Sequence, residues 1–141
     1  MPLELRAMVP EEALEAANLS TRSFENNPFA DILFPNGPGP QMFQNNIDRI
    51  KNALDDTDSH VLQIYDTDAG RMAAYAIWVY TKPKTDDQWE EQLQARYKMF
   101  SEARQDRIIP FLQQESAAKH KVMGKGRWWG TSSLFHQCSC H

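Results

Sequence analysis

Cysteine is nearly absent from this chain: its 141 residues hold two, Cys138 and Cys140, separated by one residue at the end. Half-cystines so placed cannot staple separate elements together, so no disulfide framework is expected, and a reducing cytoplasm or a nucleus is the expected compartment. An excess of positive charge is also missing. Fifteen Lys and Arg stand against nineteen Asp and Glu, for a formal charge of −4. Such a surface repels a phosphate backbone, which removes nucleic acid from the expected partners. No apolar run is long enough for a bilayer: mean hydropathy is −0.63, and no membrane partner is expected. The opening MPLELRAMVPEE puts acids where a secretory leader needs a basic start and an apolar block, so export is not expected.

What is present is globular patterning. A chain of this length buries roughly two-thirds of its unfolded surface, enough for one domain with a real core. LELRAMV alternates, with Leu3, Leu5, Ala7 and Val9 on one face, and reads as a half-buried strand ended by Pro10. PEEALEAANLSTRSFEN reads as a helix with Leu14, Ala17, Thr21 and Phe24 on its inner face, stopped by Asn26, Asn27 and Pro28. FADILFP is a short helix or loop, and NGPGP can only be a loop. A second helix follows, with Phe43, Ile47, Ile50 and Leu54 at helical spacing. HVLQIYD and MAAYAIWVYTK, joined by a polar turn ending in Gly70, predict a hairpin. Thr85 or Asp86 then caps a long helix striped by Trp89, Leu93, Tyr97 and Phe100. Pro110 should interrupt that helix, leaving a separate one over 111–122 and a strand beginning at Arg127.

These words, in this order, carry a resemblance. Leu3, Leu5, Arg6, Ala17, Phe24, Asn27, Pro28, Phe29, Leu33, Phe34 and Pro35 resemble the opening of GNAT-superfamily N-acetyltransferases, particularly a fungal branch. The hairpin LQIYDTDAGRMAAYAIWVYTKP is similar to that family's second and third strands, and KVMGKGRWW to the approach to its fourth. The resemblance covers residues 3–129 and implies an α+β, incomplete GNAT-like (acyl-CoA N-acyltransferase) fold: a mixed β-sheet with flanking helices. It divides the chain into a GNAT-like portion, 1–129, and a non-family tail, 130–141. It also implies acetyl transfer from acetyl-CoA to an amine acceptor, small molecule or protein, in a pocket lined by Asn27, Phe29 and Trp78.

The chemistry is incomplete. A CoA pyrophosphate needs backbone N–H groups of a glycine loop at a helix N-terminus, which the family supplies after its fourth strand as Q/R-x-x-G-x-G/A. Here only Gly124, Gly126 and Gly130 stand near that place, so no cofactor-binding residue is assigned and acetyl-CoA binding is not expected of the chain as it stands. The family's acid, often a Tyr beyond that loop, has no counterpart. Tyr65, Tyr75, Tyr80 and Tyr97 lie upstream and read as packing residues with surface hydroxyls. DDTD at 55–58 lacks the Gly and Glu of a calcium loop and reads as a solvated helix end, while His60 and His120 have no evident partners. His136, Cys138, Cys140 and His141 are zinc donor types in too cramped a spacing, so no metal site is assigned.

Where the family continues W-x-L-x-L-L, this chain has Trp128 and Trp129 and then diverges. A frame change, a retained intron or a misplaced exon would do that: shifting Gly-Thr-Ser-Ser by one nucleotide permits W-x-L-H-L. The expectation is therefore a truncated, catalytically impaired transferase that self-associates through an exposed sheet edge. The alternative is a binding or adaptor protein using Trp89, Tyr97 and Phe100 as an exposed helical stripe.

Overall fold

The computed structural model describes residues 2–123, 126 and 128–136. The elements run β1 (Leu3–Ala7), a 3-10 turn (Pro10–Glu12), α1 (Ala13–Ser23), α2 (Pro28–Leu33), α3 (Pro40–Asp55), β2 (Ser59–Asp66), β3 (Arg71–Thr81), α4 (Asp86–Met99), α5 (Gln105–Met123) and β4 (Trp128–His136). The chain divides into two compact units that interleave along the sequence: residues 1–25, 43–80 and 129–141 form one, and residues 26–42 and 81–128 the other. No described helix is long and apolar enough to cross a membrane.

The first unit holds a four-stranded sheet in the order β1-β2-β3-β4, with β1, β2 and β3 antiparallel. The predicted hairpin is present: the turn after Asp66 accepts the N–H groups of Asp68 and Ala69 on the Asp66 carboxylate, and Gly70 takes the positive φ of 62° that lets the chain return. A bulge between Ile64 and Tyr65 interrupts the β2–β3 register, and beside it the Met72 N–H donates to Glu15 of α1 at 2.7 Å. The predicted inner face of α3 is also correct: Ile47 and Ile50 are buried, with Phe43 and Leu54 packed against the same core.

Two expected faces differ. β1 is an edge strand exposed along its whole length, not half-buried; the residue that reaches the core is Met8, just beyond it, whose N–H donates to the Val61 carbonyl. In α1 the buried residues are Ala13, Ala16, Ala17, Leu19 and Ser20, whereas Leu14, Thr21 and Phe24 face solvent. Small side chains on the inner face let a helix backbone approach its neighbours closely, so size, not hydrophobicity, selects the face here.

The second unit is helical. Its core joins Leu33, Ala103, Ile108 and Leu112, with Phe34, Leu93, Tyr97, Phe100 and Ile109 packed around them. Thr85 caps α4 as expected, in a capping box with Gln88. The helix stops at Phe100, ten residues before the expected break, and α5 runs through Pro110. Pro110 sits in the second turn of α5, where it removes one hydrogen bond but leaves the first turn, which has none to lose, intact. The stripe on α4 is not exposed: Trp89 is buried, and Tyr97 and Phe100 pack into the core. The adaptor reading thereby loses its contact surface.

β4 lies beside β3, begins one residue after the expected Arg127, and continues to His136. It thus runs across the 129/130 division. Cys138, Cys140 and His141, with the zinc question they raise, lie outside the described residues.

Candidate functional site

The three residues expected to line an acceptor pocket have different surroundings. Asn27 is the N-cap of α2, its Oδ1 accepting the Phe29 N–H at 2.9 Å. Phe29, in the first turn that Asn27 caps, is 45% exposed and tilts against Phe111 of α5, with ring centroids 5.4 Å apart. These two belong together at the start of α2. Trp78 belongs to the other unit, on β3, directly opposite His60 of β2 and 41% exposed.

A polar cluster that the sequence did not single out occupies the interior of the first unit. The Tyr75 ring is buried to 1% exposure, and its hydroxyl lies among Ser20 of α1 and Asn46 and Arg49 of α3. The expectation of a surface hydroxyl is wrong here: β3 turns Tyr75 toward the helices together with Ile77. Burial pushes the phenol above its usual value, against the pull of the Arg49 charge, and burial likewise lowers the Arg49 guanidinium. Arg49 also donates to Asn46 at 2.8 Å.

On the strand next to Tyr75, Gln63 is buried and donates to Glu12, whose carboxylate also accepts the Val9 N–H at 3.0 Å and pairs with Arg6 at 2.6 Å. Arg6, Gln63 and Tyr75 stand in one cross-strand row. On the outer side of α1, Glu11, Leu14, Glu15, Asn18, Thr21, Arg22 and Glu25 line an open groove of about 600 Å³, which includes none of the three expected pocket residues.

In the second unit, the loop Gly37-Pro38-Gly39 leads into α3, and the first N–H groups of that helix are occupied. Gln41 and Met42 donate to the Glu102 carboxylate at 3.3 and 2.8 Å. A Cβ on Gly39 would stand 2.5 Å from Glu102 Oε1, so any side chain there displaces that carboxylate. His120 does have partners: its Nε2 lies 3.3 Å from Asp86, and its ring stacks on Trp89 at 5.4 Å. Lys84, 5.0 Å over the Trp89 ring, is held below the usual lysine value by burial and by nearby Lys119. The acidic run at 55–58 is an ordered turn, with Asp56 accepting from Asp58 N–H and Ser59 Oγ.

These helix starts decide how well the described residues suit a CoA pyrophosphate. Each described helix of eight residues or more already has a carboxylate at its N-terminus: Glu15 on α1, Glu102 at α3, Asp86 and Asp87 on α4, and Asp106 on α5. A phosphate brought to any of them meets like charge where it needs bare N–H groups. The described residues therefore do not fit the group.

No protein-family model and no curated protein matches the sequence. Solved structures do match the fold. A mosquito arylalkylamine N-acetyltransferase like 5b aligns with 96% of this chain at a TM-score of 0.61 and 14% identity. A Drosophila melanogaster polyamine N-acetyltransferase, which catalyses formation of N-acetylagmatine, aligns with 96% at 0.64 and 10%. This chain spans 61% and 60% of those two chains, about three-fifths of their length. At such identities the likeness defines architecture: an α+β fold of the GNAT N-acetyltransferase kind, part of which is present here.

Proposed function

We propose that this chain carries part of a GNAT-type N-acetyltransferase, whose opening words resemble a fungal branch, and that as it stands it is catalytically impaired. The observation that supports the class is the fold likeness over 96% of the chain to two N-acetyltransferases. In that reading the donor is acetyl-CoA and the acceptor an amine, small molecule or protein, with Asn27, Phe29 and Trp78 as candidate acceptor-side residues. Impairment is supported by the helix starts, where carboxylates stand at the positions a pyrophosphate would need.

Isothermal titration of the chain with acetyl-CoA tests the proposal. No saturable heat is expected up to millimolar cofactor. Saturable micromolar binding would overturn the impairment and leave the class standing; turnover of an aryl amine or polyamine would do so more strongly.

A further inference from the structure

β1 is the outermost strand of its sheet, with β2 on one side and no described segment paired to the other. Its hydrogen bonds show which main-chain groups that leaves open. Pro2 accepts from the Thr67 N–H at 3.2 Å and Met8 donates to the Val61 carbonyl at 3.0 Å, so the even-numbered residues bond toward β2. By alternation the N–H and C=O groups of Leu3, Leu5 and Ala7 point outward. Pro2, a residue type that blunts many sheet edges, lies among the residues facing β2 and takes nothing from the outer row. The side chains beside Leu5 carry opposite charges: Glu4 shares a face with Arg6, which pairs with Glu12 at 2.6 Å and lies 3.8 Å over the Tyr65 ring. Read in the reverse direction, Glu-Leu-Arg is its own complement.

We propose that a second copy of the chain docks on this edge, β1 antiparallel to β1, about a two-fold axis through Leu5. Leu5 then exchanges both main-chain bonds with the partner's Leu5, and Leu3 does so with the partner's Ala7. Glu4 faces the partner's Arg6 across a narrow pair, with Cα atoms ~4.5 Å apart, and Arg6 faces the partner's Glu4. Each guanidinium has donors enough for Glu12 of its own chain and for the partner's Glu4. Charge selects this register. Sliding the strands by two residues sets Glu4 against Glu4 or Arg6 against Arg6, and an in-register parallel pair does both. Sliding by one sets outward groups against residues whose groups point to β2. The two-fold uses the edge of both copies, so association stops at a pair. Five residues a side make a small contact, which points to a weak dimer with a dissociation constant on the order of 100 µM. The contact does not depend on the transferase reading.

Sedimentation velocity of the full chain from ~10 µM to ~1 mM is expected to show a monomer–dimer equilibrium. Glu4→Arg, at an exposed position, should raise the dissociation constant roughly tenfold with far-UV dichroism unchanged, and Arg6→Glu should weaken the dimer likewise. An equimolar mixture of these two variants should dimerise again, because every Arg then faces a Glu. Leu5→Pro, which removes an N–H that the monomer leaves unused, should abolish the dimer. A wild-type chain that stays monomeric throughout that range overturns the proposal, and so does growth beyond a dimer. A dimer indifferent to Glu4→Arg or to Leu5→Pro overturns it as well, as does a mixture no tighter than its components.

Discussion

The two faces of one sheet are built from the same kinds of residue and meet opposite fates. On one, Val61, Met72, Tyr75 and Ile77 are sealed beneath α1 and α3; on the other, Leu3, Leu5, Ile64 and Trp78 stand in solvent. Alternation along a strand separates the faces but does not say which is covered. That is decided by α1, whose inner row of Ala13, Ala16, Ala17 and Ser20 is narrow enough to lie close to its neighbours. The covered face also holds a polar cluster, in which the Tyr75 hydroxyl lies among Ser20, Asn46 and Arg49, and Arg49 donates to Asn46.

The largest expected effect tests that contrast. Ile77→Ala should cost about 3 kcal/mol by the transfer and cavity terms of a sealed site. Ile64→Ala, one face over, should stay within about 1 kcal/mol in urea unfolding at a concentration where the chain is monomeric. Equal losses would mean that both faces are covered and would end the distinction.

A second test is carried by the clasp at α3. Gly39→Ala should destabilise by about 1–2 kcal/mol, because the new methyl drives Glu102 from the N–H groups of Gln41 and Met42. Once Glu102→Ala has removed the obstacle, the same glycine change should cost markedly less. Strict additivity in this double-mutant cycle would show that the two residues act independently.

The smallest effects are in pH dependence. The folded state holds the Tyr75 proton above the pH, about 10, at which the unfolded chain releases it, so stability should fall as pH rises through that value. Tyr75→Phe should lose this alkaline slope. In the helical unit, Glu115 is opposed by its own burial but pulled down overall by Lys119 and Arg96. Its contribution is present above the usual carboxylate range and is lost as pH falls through its lowered folded value. Glu115→Gln should flatten the acid limb of a stability–pH curve, and an unchanged limb would remove Glu115 from the account.

The hairpin, the Thr85 cap and the inner face of α3 were legible because each is written in local signals: a turn glycine, a cap residue and a helical apolar period. The face of α1 was not, since Leu14 and Phe24 outweigh alanine on any hydrophobicity scale while fitting the packing less well. The run through Pro110 was missed because the tolerance of an early proline depends on where the helix starts, and Gln105 gives little sign of that. The polar cluster was hidden for another reason. Ser20, Asn46, Arg49 and Tyr75 each look like surface residues alone, and they come from three elements that only the fold assembles. Asn27, read as a pocket residue, has its side-chain oxygen engaged in capping α2, a role that the Asn-Pro-Phe order itself could have announced.

The carboxylates at the helix starts bear on how the protein should meet the salts of its own solution. A molecule that has answered each of those dipoles from within offers them no landing place for a free oxyanion. Phosphate and sulfate should then act on it only as solutes excluded from its surface, raising the melting temperature gradually with concentration, without the early saturating rise of a bound ion.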